Sequence, residues 1–468
     1  MTHVVIVGAY GSAGVAAAEG LLDAVGSEID RLTLVDDGEP GGGLCILRGC
    51  MPSKEVLSAA EHRYQARHDH RLRGDPPEID LDAVVKTKDE HISNFAAHRR
   101  EAVREMTEID GVEFRHETAR FAGDRTLRVG DDEIEADHVV VATGSTPNVP
   151  DVPGLDSVDY RTSADVLDAT DLPDSGVVMG FGYVGLELVP YLAEAGVDLT
   201  VVEHDERPLD EADPVFGDEI LSLYREEFDV EVRTETTEKR VERTDDGVRM
   251  HVDGPDGSDT LDAESLFCFT GRRPALDGLG LAETGVDPDL DEEWVRDTMR
   301  TRGNDRVYVV GDANGREPIL HVAKEQGQVA AENVLAAERG ERARAYENVH
   351  HHVVFSGAAV YPYARVGHSE ASAEEAGLDH VAVHREAARD GVFKTKLAPR
   401  GRATLVVGTD GTVLGYQGLH YHADVMAKTM QVVVEKGMDV REVPDRAYHP
   451  TTPEILDGLL RLAAERLE

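Results

Sequence analysis

Two stretches of this chain carry the same pattern, and that pattern leaves little freedom of fold. "HVVIVGAYGSAGVAAAEGLL" reads as a buried strand, a glycine turn and a helix, and the next strand, "RLTLVDD", ends on Asp36. The strand "GVVMG", the turn "GFGYVG", the helix "LELVPYLAEAG" and the strand "DLTVVEHD", ending on Glu203, repeat it. Short, almost wholly apolar strands alternating with helices make parallel sheets covered on both faces. The expected class is therefore α/β, with two dinucleotide-binding, Rossmann-like domains.

The rest of the chain is arranged around these two units. Residues 80 to 110 read as a polar helix, and "VEFRHETARFAGDRTLRVGDDEIEADHVVVATG" alternates like an antiparallel sheet that ends in the strand "HVVVATG". The proline-rich "STPNVPDVPG" marks a boundary. "ESLFCFTGRRP" completes the second unit, and "RVYVVGDANG" with the helix "HVAKEQGQVAAENVLAAE" returns to the first. Beyond residue 346 come short strands in "HHVVFSG", "GVFKTKLAP" and "RATLVVGTDGTVLGYQGL", then helices near 423–437 and 453–467, an α+β pattern. The expected domains are 1–150, 151–274, a return over 275–345, and 346–468.

A chain of 468 residues is too long for one core and long enough to bury a large cofactor. With 92 acidic against 48 basic residues its formal charge is −44, which repels nucleic acid and anionic membrane and argues against both as partners. No apolar run approaches the roughly 20 residues that span a bilayer, and no signal peptide precedes "VVIVGAY", so a soluble cytoplasmic protein is expected. The acid is spread along the whole length, arginine outnumbers lysine, and aromatic residues are only 5% of the chain, as in proteins of salt-loving archaea. High salt screens the resulting self-repulsion.

In "GFGYVG" the glycines are Gly180, Gly182 and Gly185. Glycine lets such a turn close, lets backbone N–H groups approach a pyrophosphate, and lets the helix pack on its strand. Glu203, about 20 residues on, suits a ribose diol and repels a 2′-phosphate, which favours NADH, while His204 and Arg207 soften that preference. The first turn has Gly8, Gly11 and Gly14, with Tyr10 where the second glycine of the motif falls, and Asp36 as ribose acceptor.

The chain holds three cysteines, two of them in "GGGLCILRGCMPSK". Three cannot frame a protein of this size, so a pair is more readily catalytic than structural. Cys50 opens a helix with Pro52 in its first turn, and a sulfur at a helix start feels the positive end of the dipole, which favours thiolate. Cys45 and Cys50 suit a redox disulfide; two inert buried thiols is the alternative reading. Cys268, in "LFCFTG", reads as a buried strand thiol. A structural zinc site needs about four ligands, and no second Cys or His pair stands near residues 45–50, so no metal is expected.

"GGGLCILRGCMPSK" resembles the active-site stretch of the flavoprotein disulfide reductases, and "ATGSTP" at 142–147, "GFGYVGLE" at 180–187, "TGRRP" at 270–274, "VYVVGD" at 307–312 and "HPTTPE" at 449–454 follow in that family's order. The resemblance covers essentially the full length. It implies FAD in the first unit, NADPH or NADH in the second, and a homodimer formed through the region after 346. For FAD it implies Gly8, Gly11, Asp36, Gly43, Thr143, Gly144 and His321, with Asp312 on the ribityl chain and Lys54 near the flavin N5, paired to Glu187. For the nicotinamide dinucleotide it implies Gly180, Gly182, Gly185, Glu203 and Gly271. Hydride then passes from nicotinamide to flavin and on to the Cys45–Cys50 disulfide, with Cys50 next to the flavin and Cys45 attacking the substrate.

Thiol exchange needs one sulfur to form a mixed disulfide and another to resolve it, together with a group that protonates the leaving thiolate. His449 suits that role, with an ordinary pKa of about 6.5 and a following proline that biases it to an extended loop. Glu454 is placed to orient its ring, and the resemblance implies that both complete the other subunit's site.

The substrate is less defined. Mercuric reductases of this family typically carry a second cysteine pair near the C-terminus, whereas this chain ends "RLAAERLE". "GGLCILRGC" also departs from the "GGTCLNxGC" of dihydrolipoyl dehydrogenases. Arg48, with His420 and His422, hints at a pocket for carboxylates. Halophilic composition and the family resemblance together point to reduction of bis-γ-glutamylcystine, which favours NADPH where Glu203 favours NADH. Lipoamide is the alternative substrate, and a non-turnover flavin-binding redox sensor or scaffold the alternative of another class.

Overall fold

The computed structural model describes residues 2–288 and 293–468. They form two compact units, one of Met1–Pro52, Thr87–Asn148 and Arg272–Asn348, the other of Ser53–Lys86, Val149–Gly271 and Val349–Glu468.

The first unit is built on a five-stranded parallel sheet in the order Val307–Val309, His138–Val141, His3–Val7, Arg31–Val35, Val112–Arg115. Val4 and Ile6 point to one face, into a core shared with the helices Ser12–Leu21 and Leu320–Arg339. Val5 and Val7 point to the other, which Phe121, Leu127 and Trp294 cover. This two-sided burial is why the strand shows no polar alternation. The two helices meet through small residues: a Cβ on Gly327 would stand 2.3 Å from the Ala13 carbonyl oxygen, and one on Gly20 2.7 Å from the Ala331 Cβ.

The stretch from Val112 to Val141, expected as one antiparallel sheet, divides. Ala119–Phe121, Thr126–Val129 and Asp132–Glu135 pair antiparallel, while the strands at either end join the parallel sheet. Strand alternation specifies strands but not partners.

In the second unit a parallel sheet runs in the order Glu231–Arg233, Asp198–Val202, Ser175–Met179, Ser265–Cys268, Tyr160–Arg161. Helices Tyr183–Glu194 and Pro214–Glu227 pack through the core on one side; the meander Thr237–Thr244, Gly247–Gly254, Gly257–Ala263 packs through Val241, Met250 and Leu261 on the other. The same unit holds an antiparallel sheet ordered His351–Val354, Tyr363–Gly367, Val413–Leu419, Arg402–Gly408, His380–Glu386, backed by helices Ala423–Glu435 and Glu454–Leu467. The α/β class expected from sequence is the class found.

"GVFKTKLAP" is not a strand. Gly391–Thr395 is a helical turn, because the two residues it buries, Val392 and Phe393, are adjacent rather than alternate, and Phe393 packs edge-on to His420 with ring centroids 5.5 Å apart. Among the described residues no helix is long and apolar enough to cross a membrane.

Candidate active site

Strand His3–Val7 runs into the first glycine turn. Gly8 adopts φ +94°, and a Cβ there would lie 2.3 Å from the Ala142 carbonyl oxygen, so only glycine fits. At the end of the neighbouring strand, Asp36 accepts hydrogen bonds from the N–H groups of Tyr10 and Gly38, each at 2.8 Å, and burial pushes its carboxyl above the usual range. Tyr10 does not obstruct the turn. Its buried ring lies 5.0 Å from that of Phe114, and its carbonyl accepts from Arg99 Nη1 at 3.1 Å.

A cavity of about 610 Å³ opens at this turn. Gly8, Gly11, Asp36, Gly43, Thr143 and Gly144 line it, and so do Asp312 and both cysteines 45 and 50. Asp312 Oδ2 accepts from Ser145 Oγ at 2.6 Å, and Arg272 Nε donates to the same hydroxyl at 2.9 Å. Thr143 Oγ1 is buried without a hydrogen-bond partner among the described residues, and a buried polar atom of this kind calls for one from a ligand. His321 is not in the lining. Leu320 and Ala323 are, and on a helix residue 321 points about 100° away from residue 320.

Cys45 sits in the short helix Leu44–Leu47, and Cys50 opens the helix Cys50–His68. The three cysteines are unbridged in this structure; Cys45 is part-buried, Cys50 exposed and Cys268 buried. The Cys45 thiol is hydrogen-bonded to Cys50. That bond, then burial, pushes its pKa up, while the Arg99 guanidinium opposes the rise. Sequence alone missed Arg99 and Arg100, whose guanidinium groups clasp the carbonyls of Tyr10, Pro40 and Gly41; nothing in their spacing along a long polar helix marks them.

In the second unit Lys54 Nζ pairs with Glu187 at 2.7 Å and stands 4.4 Å over the Phe355 ring, while Glu187 also accepts from the Phe355 N–H. The second turn matches the first. Gly180 has φ +89° with a would-be Cβ 2.8 Å from the Phe269 carbonyl oxygen, and a Cβ on Gly185 would meet the Gly180 oxygen at 2.7 Å. Gly182 and Gly271 have open space where a Cβ would stand. Buried Glu203 accepts from the N–H groups of Phe181 at 2.9 Å and Asp205 at 3.0 Å, the same clasp Asp36 makes on the first turn. Arg207 is tied to Asp218 and Glu206. Tyr183, in the turn itself, donates to Glu211 at 2.8 Å, beside buried His352. Among the described residues only Glu203, His204 and Asp205 bring three metal-ligand atoms within 4.8 Å.

His449 is 81% exposed, and its Nδ1 lies 3.1 Å from Glu454 Oε2. The Thr451 N–H, donating to Glu454, and His449 beside it hold that carboxyl below its ordinary pKa. His422 Nδ1 lies 3.1 Å from Thr452 Oγ1 in the same loop. His420 is not available to a carboxylate. It is fully buried, its Nε2 is 2.9 Å from the Tyr416 hydroxyl, and burial pushes its pKa down to about 4.

A glycine-cradled dinucleotide cavity with a thiol pair in its wall, in a chain that carries a second dinucleotide turn, defines a nucleotide-dependent dithiol oxidoreductase. The chain belongs to the pyridine nucleotide-disulphide oxidoreductases: that family's model matches residues 2–327, and its dimerisation domain matches 352–459. Mercuric reductase of Streptomyces lividans is 34% identical over 347 residues, 72% of this chain and 71% of the relative. Dihydrolipoyl dehydrogenase of Halobacterium salinarum is 30% identical over 439 residues, 90% and 89% of the two chains. The fold of HOCl-induced flavoprotein disulfide reductase RclA from Escherichia coli, solved as a Cu(II) complex, superposes with a TM-score of 0.82 at 23% identity, covering 98% of this chain and 99% of that one. The protein is an FAD-dependent NAD(P)H:disulfide oxidoreductase with a dimerisation domain.

The cavity residues fit FAD. Valine at position 8 puts its Cβ into the Ala142 carbonyl, so Gly8→Val is expected to yield purified protein with less than about a tenth of the wild-type flavin absorbance. Full flavin content in that variant would contradict the assignment.

Proposed function

We propose that this enzyme is an NADH-preferring reductase of bis-γ-glutamylcystine, working as a homodimer through Cys45 and Cys50. The observation that carries the proposal is the hydrogen-bonded thiol pair in the wall of the first-turn cavity. Gly8, Asp36, Thr143 and Asp312 would hold FAD there, and the flavin would supply two-electron transfer between the nicotinamide and the Cys45–Cys50 disulfide. Lys54, pinned by Glu187, supplies a fixed positive charge one helical turn after Cys50.

The reduced pair then acts on substrate. Cys45 thiolate attacks RS–SR, a Cys45–SR bond forms, and RS⁻ leaves with a proton from His449 of the partner subunit, whose ring Glu454 orients. His449 takes the proton of the Cys50 thiol, the Cys50 thiolate attacks the Cys45 sulfur, and the second RS⁻ leaves with that proton as the disulfide is restored. Two electrons and two protons convert one disulfide to two thiols.

Glu203 supports NADH. Its carboxylate is held on the turn by two N–H groups, and Glu238 stands near it, so a 2′-phosphate would meet two acids with Arg207 already paired. Glu203→Ala is expected to lower the NADH over NADPH preference about tenfold or more in kcat/KM, and an unchanged ratio would contradict this. Bis-γ-glutamylcystine is supported by the acid-rich composition and by Arg48, which is exposed and has no carboxylate partner among the described residues. The second reading is dihydrolipoyl dehydrogenase, favoured by Glu203 and the near full-length Halobacterium relative. Nucleotide oxidation at high salt with bis-γ-glutamylcystine, lipoamide, glutathione disulfide and Hg(II) in turn decides. Fastest turnover is expected with the first, and fast turnover of lipoamide alone would overturn the proposal.

A further inference from the structure

Many arginines of this protein are paired with acids: Arg63 and Arg67 share buried Glu194, Arg115 holds Glu117 and Asp132, and Arg400 holds three glutamates. Arg48 makes neither an ion pair nor a side-chain hydrogen bond among the described residues, although the chain offers 92 acids. No acid occurs from residue 40 to residue 54, and the loop's other cation, Lys54, is held by Glu187.

Its position is specific. The Arg48 N–H closes the turn on the Leu44 carbonyl at 2.9 Å, so Arg48 stands three residues after Cys45 on one helical turn. Arg48 is the C-cap of that turn, with φ −144° and ψ 18°, three residues along the chain from Cys45. Cys45 is part-buried, and Arg48 is exposed to solvent with its charge unneutralised by any acid among the described residues. A planar guanidinium pairs with a carboxylate through two parallel hydrogen bonds, fixing direction as well as distance.

We propose that Arg48 is the specificity-determining residue of the disulfide site: it binds a carboxylate close to the sulfur of the incoming disulfide and so aligns that sulfur with the Cys45 thiolate. This rests on the reading of Cys45 as the attacking sulfur and names the substrate class more narrowly. In bis-γ-glutamylcystine the cysteinyl carboxylate is unblocked and three bonds from sulfur. In glutathione disulfide the same carbon is an amide, and in lipoamide no carboxylate is present. Exchange remains as written above, since Arg48 changes no bond.

The test uses holoenzyme reduced with NADH and two small disulfides of the same shape, 3,3′-dithiodipropionate and its bis-amide, at fixed salt, reading the rate of enzyme reoxidation. Wild type is expected to favour the diacid about five- to tenfold, the upper range for a contact ion pair at an accessible site. Arg48→Gln is expected to bring the ratio to about one by slowing the diacid, and Arg48→Lys to restore part of it. Equal slowing of both disulfides in Arg48→Gln, or a wild-type ratio retained in that variant, overturns the inference. Failure of wild type to react with either disulfide would instead overturn the reading of Cys45. A preference for lipoamide in steady state would overturn the native-substrate proposal while leaving the diacid ratio to judge Arg48.

Discussion

Cys50→Ser is expected to lower disulfide turnover by about a thousandfold or more while the protein keeps its flavin. A serine hydroxyl can neither form the intramolecular disulfide nor resolve a mixed one, so the two-thiol cycle has no substitute route. Cys45→Ser should be equally inactive for a different reason, because the attacking sulfur itself is gone. Cys45 lies in a short helix and Cys50 at the first position of a longer one, both at the cavity wall rather than in a core, so neither change removes much buried apolar surface. The measurement is steady-state nucleotide oxidation with disulfide beside flavin absorbance of the purified variant. Cys268, buried and 3.1 Å from Thr270 Oγ1, provides the control: Cys268→Ser should retain turnover. Full turnover in Cys50→Ser would remove the thiol pair from the mechanism.

The second large effect concerns His449. His449→Gln is expected to lower turnover by about 10²- to 10⁴-fold, the range for removing a positioned general acid. His449 is mostly exposed and, among the described residues, its ring is anchored only through Glu454, as befits a group that acts on a neighbour. If it serves the partner subunit, mixing His449→Gln with Cys45→Ser subunits regenerates intact sites in the heterodimer, each from one chain's cysteines and the other's histidine. With random reassortment in a twofold dimer about half the dimers are mixed and each has one complete site, so roughly a quarter of wild-type activity should return. No recovery on mixing would place His449 outside the other subunit's site.

Much of this was legible in the sequence because its signals are local. A strand, a glycine turn, a helix and an acid at the end of the next strand lie within about thirty residues, and the turn geometry of Gly8 and Gly180 enforces each of them. The cysteine pair and "HPTTPE" are equally local. What could not be read depends on residues distant in sequence. Tyr10 stands in place of a motif glycine, yet its ring is buried against Phe114 and its backbone still clasps Asp36. His420 looked like a polar pocket residue and is buried beneath Tyr416, since periodicity cannot tell an inward histidine from an outward one. The strand expected over "GVFKTKLAP" is a helical turn because Phe393 needs a tertiary pocket, which outweighs local β-propensity.

In the proposed cycle electrons pass through the sulfurs of residues 45 and 50. Anaerobic alkylation of the holoenzyme, followed by mass analysis of the peptide spanning both cysteines, tests it most directly. Before NADH an unmodified, internally linked peptide is expected; after one equivalent of NADH, alkylation at Cys45 and Cys50 is expected, with Cys268 unmodified in both samples. Equal labelling of Cys45 and Cys50 before and after reduction would contradict it.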